Sequence, residues 1–304
     1  MQEGLIYVPR QPKPTQYEPN AKATDILRGL NRFFYLSPEQ VNRRFWVGNN
    51  LSTAKAILKK LTDHEYAEAV FLHRGSDPRG KDSYIYRLGA TGLKHLREMH
   101  VSVPKRLRHT DFPKQDHLTH LLEINDVLIA AELLSRDQDA VLLTAFEHDR
   151  DLKQNPFLVT LHNGKTATLI PDAVMHFAYF DTPDGTPEPH YVVLEMDMGA
   201  SRDYWIEKME KYVAFLPAFQ NRYQSLSLTL AIVTPAGQLH MHNLRLWTQQ
   251  VFTRFGMKEA SFAGSILFTA LKAAETDPST FFLSPTFQPL YESAPISLLE
   301  VHHV

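Results

Sequence analysis

Apolar residues recur at helical spacing in the first third of the chain. The segment from Ala23 carries them at Ile26, Leu27, Leu30, Phe33 and Phe34. A second helix is predicted after Ser37, because this residue is a good N-cap, Pro38 suits the first turn and Gln40 can complete a capping box. We therefore expect two consecutive helices between the extended arm predicted for residues 1–20 and Trp46.

A third helix is predicted from Leu51, after the pair Asn49-Asn50. Its apolar face contains Leu51, Ala54, Ile57, Leu58 and Leu61. Three lysines lie mainly off that face: Lys55, Lys59 and Lys60. We predict that these lysines bind DNA, and the alternative is that they form an ordinary solvated helix face.

The period then changes to two, which predicts strands over 69–72 and 84–88. The segment between them is rich in turn-forming and basic residues, including Arg74, Arg79 and Lys81. Another helix is predicted from Thr91 to Met99. Three helices, a hairpin and a closing helix predict a winged helix-turn-helix over 21–103, whose third helix enters the major groove while the three basic residues contact backbone phosphates. The alternative is a winged helix that binds other proteins.

After a basic linker at 104–116, the pattern over 117–304 predicts a second domain. The helices are expected at Leu118–Leu134, Arg202–Phe215 and around Leu244–Phe255. The strands are expected at Val141–Phe146, Thr166–Met175, Tyr191–Asp197, Leu226–Val233 and Ser265–Thr269. His240 and His242 alternate along the chain, and we expect them at the surface of a hairpin. This order predicts an α+β protein: a winged helix followed by a mixed α/β sandwich.

Charge divides the chain at the same place. Residues 1–116 contain 20 Lys and Arg against 12 Asp and Glu, whereas residues 117–304 contain 12 against 22. This asymmetry is expected when only one part of a protein touches phosphate. Cysteine is absent, which excludes disulfides and thiolate metal sites. The N-terminus lacks a signal-peptide pattern and the apolar runs are short, so we expect a soluble, cytoplasmic protein.

Three carboxylates follow apolar segments of the second domain. Asp172 comes after Ile170-Pro171, and Glu195 and Asp197 end the sequence Val192-Val193-Leu194-Glu195-Met196-Asp197. A carboxylate in an apolar strand is costly unless it is paired or bound to metal. We therefore predict that Asp172 and Glu195 bind Mg²⁺ or Mn²⁺, ions that prefer such oxygen ligands. The alternative is pairing with Lys or Arg.

Several of these segments together resemble a known family. Pro171-Asp172 followed by Glu195-x-Asp197 resembles the core of PD-(D/E)XK nucleases. More specifically, the chain resembles the replication-relaxation family of plasmid and mobile-element proteins. The segments that carry this resemblance are Tyr86-Arg87-Leu88-Gly89-Ala90-Thr91-Gly92, His117-Leu118-Thr119-His120, Asn125-Asp126-Val127, Phe146-Glu147, Pro171-Asp172-Ala173, Leu194-Glu195-Met196-Asp197-Met198-Gly199, and Lys208 with Tyr212.

The resemblance implies a catalytic set of Asp172, Glu195 and Asp197, with Glu123 on the preceding helix. Nuclease cores usually place a lysine two residues after the glutamate, where this chain has Asp197. We expect Lys208, on the following helix, to supply the amine instead.

The function expected from these features is DNA replication or processing for a plasmid or mobile element, with a Mg²⁺-dependent endonuclease site. Two alternatives remain open: a non-catalytic transcription or replication regulator whose second domain dimerises or binds partners, and a structural adaptor in a larger complex. The candidate partners are double-stranded DNA, a second copy of the chain, and replication or conjugation proteins. No membrane partner is expected.

Overall fold

The computed structural model describes residues 17–46, 50–72, 83–103, 114–180, 186–257 and 261–299. The chain divides into two compact units, Met1–Asn125 and Asp126–Val304. The elements of the first unit are α1 (Ala21–Phe33), α2 (Pro38–Phe45), α3 (Leu51–Asp63), β1 (Ala67–Leu72), β2 (Ser83–Leu88), α4 (Ala90–Glu98) and the first half of α5 (Gln115–Asp137). The chain is therefore an α+β protein whose unit boundary falls within a helix.

The start of α2 follows the predicted capping box. The Ser37 hydroxyl accepts a hydrogen bond from the Gln40 amide at 3.2 Å, and the Gln40 side chain accepts one from the Ser37 amide at 3.0 Å. The Gln40 side chain also donates to the Leu122 carbonyl at 2.7 Å, which fixes α2 to α5. One polar side chain thus both starts a helix and docks it.

The amide of Asn125 holds α5 against the turn between α1 and α2. It donates to the carbonyls of Phe33 at 3.1 Å and Tyr35 at 2.8 Å. Phe34, between them, ends α1 with a φ of 63°, so its neighbours' carbonyls turn away from the helix. The fully buried Asn125 amide thus joins α5 to both carbonyls, and the Phe33 carbonyl also accepts a hydrogen bond from the Tyr35 amide at 2.7 Å.

The hairpin is antiparallel, with pairs running from Ala67 opposite Leu88 to Leu72 opposite Ser83. Its one cross-strand ion pair in the described register joins Arg87 to Glu68, with Arg87 nitrogens 2.7 and 2.9 Å from one Glu68 oxygen. Both side chains are buried, so the pair is shielded from solvent. The predicted basic tip, with Arg74, Arg79 and Lys81, lies outside the described residues, as do residues 1–16 of the arm and 104–113 of the linker.

Two glycines let the start of α4 approach the turn between α3 and β1. A Cβ built on Gly89 would lie 2.2 Å from the Glu65 carbonyl oxygen, and one on Gly92 would lie 2.1 Å from that of Tyr66. The Gly89 amide also donates a hydrogen bond to the Tyr66 carbonyl at 2.9 Å. Glycine is therefore required at positions 89 and 92, where a side chain would have no room.

The second unit is built on a six-stranded mixed sheet of order β10-β9-β8-β7-β6-β3. Its strands are β3 (Val141–His148), β6 (Ala173–Tyr179), β7 (Glu188–Met196), β8 (Leu228–Val233), β9 (Ile266–Thr269) and β10 (Gln288–Pro289). β4 (Phe157–Thr160) and β5 (Thr166–Leu169) form a separate hairpin. The helices are α6 (Asp149–Gln154), α7 (Arg202–Val213), α8 (Phe215–Tyr223), α9 (Gln238–Arg254), α10 (Ser261–Gly264) and α11 (Pro278–Leu283).

The direction of pairing changes at β7. This strand is antiparallel to β6 and parallel to β8. The start of β6 therefore lies beside the ends of β7 and β8. The core beside the sheet is rich in aromatic residues, including Trp205, Tyr212 and Phe215. From α5 to β8, the chain follows the predicted order of helix, three strands, helix and strand. The additional elements α6, β4 and β5 lie between the first and second of these strands.

Two predicted elements were wrong, and a third is two residues shorter than predicted. The expected strand Thr166–Met175 is two strands in different sheets, because Pro171 has no amide hydrogen to donate and the chain turns there. The expected helix Arg202–Phe215 ends at Val213. The proline at 217 cannot donate to the carbonyl of Val213, so the chain restarts as α8. The segment of His240 and His242, expected to be a hairpin, lies in α9, which starts after Gly237 with a φ of 95°.

In the part of the chain that the structure describes, no helix is long and apolar enough to cross a membrane.

Replacing Gly92 with alanine should destabilise the protein by about 3 kcal/mol. The new Cβ would overlap the Tyr66 carbonyl oxygen, which is held in place by a hydrogen bond from the Gly89 amide. Thermal and urea unfolding would measure the change. Gly264→Ala is the matched control, since a Cβ there meets no atom within 4 Å. Equal stabilities of the two variants would contradict this packing argument.

Candidate functional site

Asp172 and Glu195 come together where β6 begins and β7 ends. The Asp172 amide donates to the Leu194 carbonyl at 3.1 Å, and the Met196 amide donates to the Asp172 carboxylate at 2.8 Å. Two hydrogen bonds therefore place Asp172 beside the strand segment that carries Glu195. Asp172 is partly exposed, whereas Glu195 is fully buried.

Helix α7 supplies two donors to the buried carboxylate. Lys208 donates to one Glu195 oxygen and Tyr212 donates to the other. These donors are four residues apart and so lie on one face of the helix. Lys208 keeps 19% of its side chain exposed, while Tyr212 is completely buried. The amine that is missing two residues after Glu195 thus reaches it from the next helix.

The local charges alter the proton affinities of this cluster. Burial raises the pKa of Glu195 to about 8 against the opposing effect of Lys208, and the charge of Asp172 adds to the rise. Burial alone would lower the pKa of Lys208, but the negative charges of Glu195 and Asp172 outweigh it and raise that pKa. Burial beside Glu195 also raises the pKa of Tyr212 well above its ordinary value. The negative charge of Asp172 thus favours the protonated form of all three groups.

Asp197 has a separate set of partners. It lies just beyond β7 and accepts hydrogen bonds from the amides of Gly199 at 3.0 Å and Ala200 at 3.2 Å. The His240 Nε2 lies 2.5 Å from the same Asp197 oxygen, Oδ1. Asp197 therefore shapes the loop that leads into α7 and binds the first turn of α9.

The remaining predicted site residues lie in the first unit. Glu123 is partly buried on α5. Lys55, Lys59 and Lys60 are all exposed on α3, opposite the buried side chains. Lys59 forms an ion pair with Asp63 at 2.6 Å, and the Lys60 ammonium lies 4.2 Å from the centre of the Tyr17 ring.

The carboxylates fit a metal only in part. Asp172 and Glu195 offer the oxygen ligands that Mg²⁺ prefers. Both oxygens of Glu195, however, already accept hydrogen bonds, and among the described residues no group of three or more His, Asp or Glu side chains is arranged around a common metal position. A divalent ion on Glu195 would have to share these oxygens with Lys208 and Tyr212 or displace them.

Sequence reasoning missed two features of this sheet edge. His240 was expected at the surface of a hairpin, but its helix places it on Asp197. The ion pair between Asp149 and Lys153, in contact at 2.5 Å, was not predicted. Their spacing of four residues is a signal of a helical ion pair and would have marked the short helix α6.

The fold and this cluster define an α+β protein in which two carboxylates and a lysine meet at the edge of a mixed sheet. The family model described as replication-relaxation matches residues 27–227 of the 304. The chain belongs to the replication-relaxation family. Membership suggests a role in the replication or processing of plasmids or mobile elements. No curated protein and no solved structure matched the chain.

The stability of the protein should fall as the pH rises from about 4.5 to about 8. Because folding raises the pKa of Glu195 from 4.5 to about 8, the folded state binds a proton that the unfolded chain has lost in this window. The raised pKa of Lys208 acts only at more alkaline pH. Urea unfolding from pH 5 to pH 8 should therefore show a smaller fall for Glu195→Gln. Glu188→Gln, at the exposed start of the same strand, is the control. A wild-type slope in the Glu195 variant would refute the assignment.

Proposed function

We propose that the protein binds double-stranded DNA through α3 and acts in the replication or processing of a plasmid or mobile element. The observation that carries the proposal is the division of α3 into two faces. Ala54, Leu58 and Leu61 are fully buried, while Lys55, Lys59 and Lys60 are all exposed. One helix is thus anchored by its apolar face and presents three cations on the other.

The surroundings of α3 support its assignment as the recognition helix of a winged helix. A capped short helix precedes it, and an antiparallel hairpin and a closing helix follow it. The ion pair between Lys59 and Asp63 is exposed on the lysine side, so exchanging it for a DNA phosphate costs little. Arg74, Arg79 and Lys81 belong to the proposed wing and would add contacts to the backbone rather than to bases.

A second candidate function is phosphodiester cleavage in the second unit. The specific observation in its favour is that Lys208 contacts Glu195 while Asp172 lies within electrostatic reach of both. Mg²⁺ or Mn²⁺, if bound, would supply a more acidic water and stabilise negative charge. The side chains would contribute Asp172 and Glu195 as ligands and Lys208 as a cation for the phosphate, with Asp197 shaping the adjacent loop.

The competing hypothesis is a regulator whose second unit binds a second copy of the chain or replication or conjugation proteins. The internal pairing of Glu195 supports it, because a carboxylate that is satisfied by Lys208 and Tyr212 needs no metal. The two hypotheses share DNA binding and differ only in whether the sheet edge carries chemistry.

The double variant Lys55→Glu, Lys59→Glu should abolish duplex binding while leaving the fold intact. The substitutions replace attraction to phosphate with repulsion on an exposed face. Gel-shift and anisotropy titrations at several salt concentrations would measure the loss. Lys165→Glu, Lys272→Glu changes the net charge equally in the second unit and should retain binding. Unchanged affinity in the α3 variant would disprove the recognition-helix assignment.

Mg²⁺ or Mn²⁺ should raise the melting temperature of the wild type, and Asp172→Ala should remove the increase, because an ion that binds only the folded state stabilises it. Cleavage of supercoiled, linear and single-stranded DNA is then compared among wild type, Glu195→Ala and Lys208→Ala. Metal-dependent nicking that both variants lose would support the nuclease. Stabilisation without nicking would support the regulator. No stabilisation would contradict metal binding by these carboxylates.

A further inference from the structure

A second lysine, Lys153, lies on the helix that begins beside Asp172. Strand β3 runs directly into α6, and its last residue, His148, pairs with Ala173 at the start of β6. The Asp149 amide then donates to the Asp172 carbonyl at 2.9 Å. Helix α6 therefore begins beside Asp172, and Lys153 follows one turn later.

Asp149 and His148 fix the position of the Lys153 ammonium. It donates to one oxygen of Asp149 at 2.5 Å, and the His148 Nδ1 lies 2.6 Å from the other oxygen. His148 is completely buried and the Asp149 side chain is 12% exposed. Burial raises the pKa of Asp149, but the contacts with His148 and Lys153 outweigh it and leave that pKa well below its ordinary value.

This arrangement differs from an ordinary surface ion pair. Two exposed partners usually keep their mobility, and their pairing contributes little. Here the acid is anchored in the sheet through buried His148, while 51% of the Lys153 side chain remains exposed. The result is a cation that is held in place and still accessible to a ligand.

The edge of the sheet beside this cation is acidic. Asp149, Asp172, Glu195 and Asp197 all belong to it, and residues 117–304 contain 22 acidic against 12 basic side chains. A phosphate approaching this edge would be repelled unless cations face it. Lys208 already donates to Glu195, and only 19% of its side chain is exposed.

We infer that Lys153, positioned by Asp149 and His148, contacts a backbone phosphate of a nucleic-acid strand laid across the edge that carries Asp172. The inference rests on the proposed DNA binding and deepens it, because it gives the second unit its own contact with the strand. β3 and β7 flank β6 about 10 Å apart in the sheet; α6, with Lys153, follows β3, and Glu195, the partner of Lys208, lies on β7. The ligand class is a phosphodiester, and no base is read by this contact.

The test is the salt dependence of DNA binding by the full-length chain, measured by anisotropy with a fluorescein-labelled duplex and the corresponding single strand. Loss of one phosphate contact should reduce the slope of log K against log salt by about 0.9 on duplex and about 0.7 on single strand. Lys153→Ala should show this reduction with at least one of the two DNAs. Lys153→Arg, which keeps the charge, should restore the slope, and Lys165→Ala in the turn between β4 and β5 should leave it unchanged.

The outcomes separate this inference from the proposed function. Wild type that binds neither DNA would overturn both. Wild type that binds through Lys55 and Lys59, with a Lys153→Ala slope equal to its own on both DNAs, would overturn only the phosphate contact. A reduced slope that Lys153→Arg fails to restore would also overturn it, since that result indicates a structural effect on Asp149. Melting curves of each variant identify such an effect directly.

Discussion

The second unit depends on one buried contact, the carboxylate of Glu195 held by Lys208 and Tyr212. A carboxylate with no exposed surface is tolerated only when both of its oxygens are satisfied, and α7 provides both donors from one face. The contact fixes the rotation of α7 about its axis as well as its distance from the sheet. Loss of any one partner would leave a buried group without its complement, which costs far more than an exposed pair.

Topology decides which other groups join this contact. The sheet changes from antiparallel to parallel pairing at β7, so the beginning of β6 and the ends of β7 and β8 share one edge. Each connection that leaves or reaches this edge brings a polar residue with it. Asp172 arrives before β6, Asp197 leaves after β7, and α6 departs from the end of β3. The cluster is thus a consequence of strand order, although its members are far apart in sequence.

The sequence made local features predictable, and it failed where distant segments decide the outcome. Ser37 and Gln40 predict a capping box from a segment of four residues. Helical spacing likewise places Lys208 where it can reach the end of the preceding strand. Pro171 was overlooked because apolar residues continue on both sides of it, although its missing amide hydrogen ends the pairing. The helical placement of His240 was missed because an alternation of polar residues over a few positions does not distinguish a hairpin from the first turn of a helix.

The glycines that precede and begin α4 have a consequence for how relatives of this chain are recognised. Gly89 and Gly92 are needed because carbonyl oxygens of the turn before β1 occupy the space of a side chain. That need is purely steric and is independent of any chemistry at the sheet edge in the other unit. A homologue with the same packing would lose stability without glycine at either position, whatever its role. This stretch therefore reflects the packing of the first unit and carries no information about the cluster of Asp172, Glu195 and Lys208.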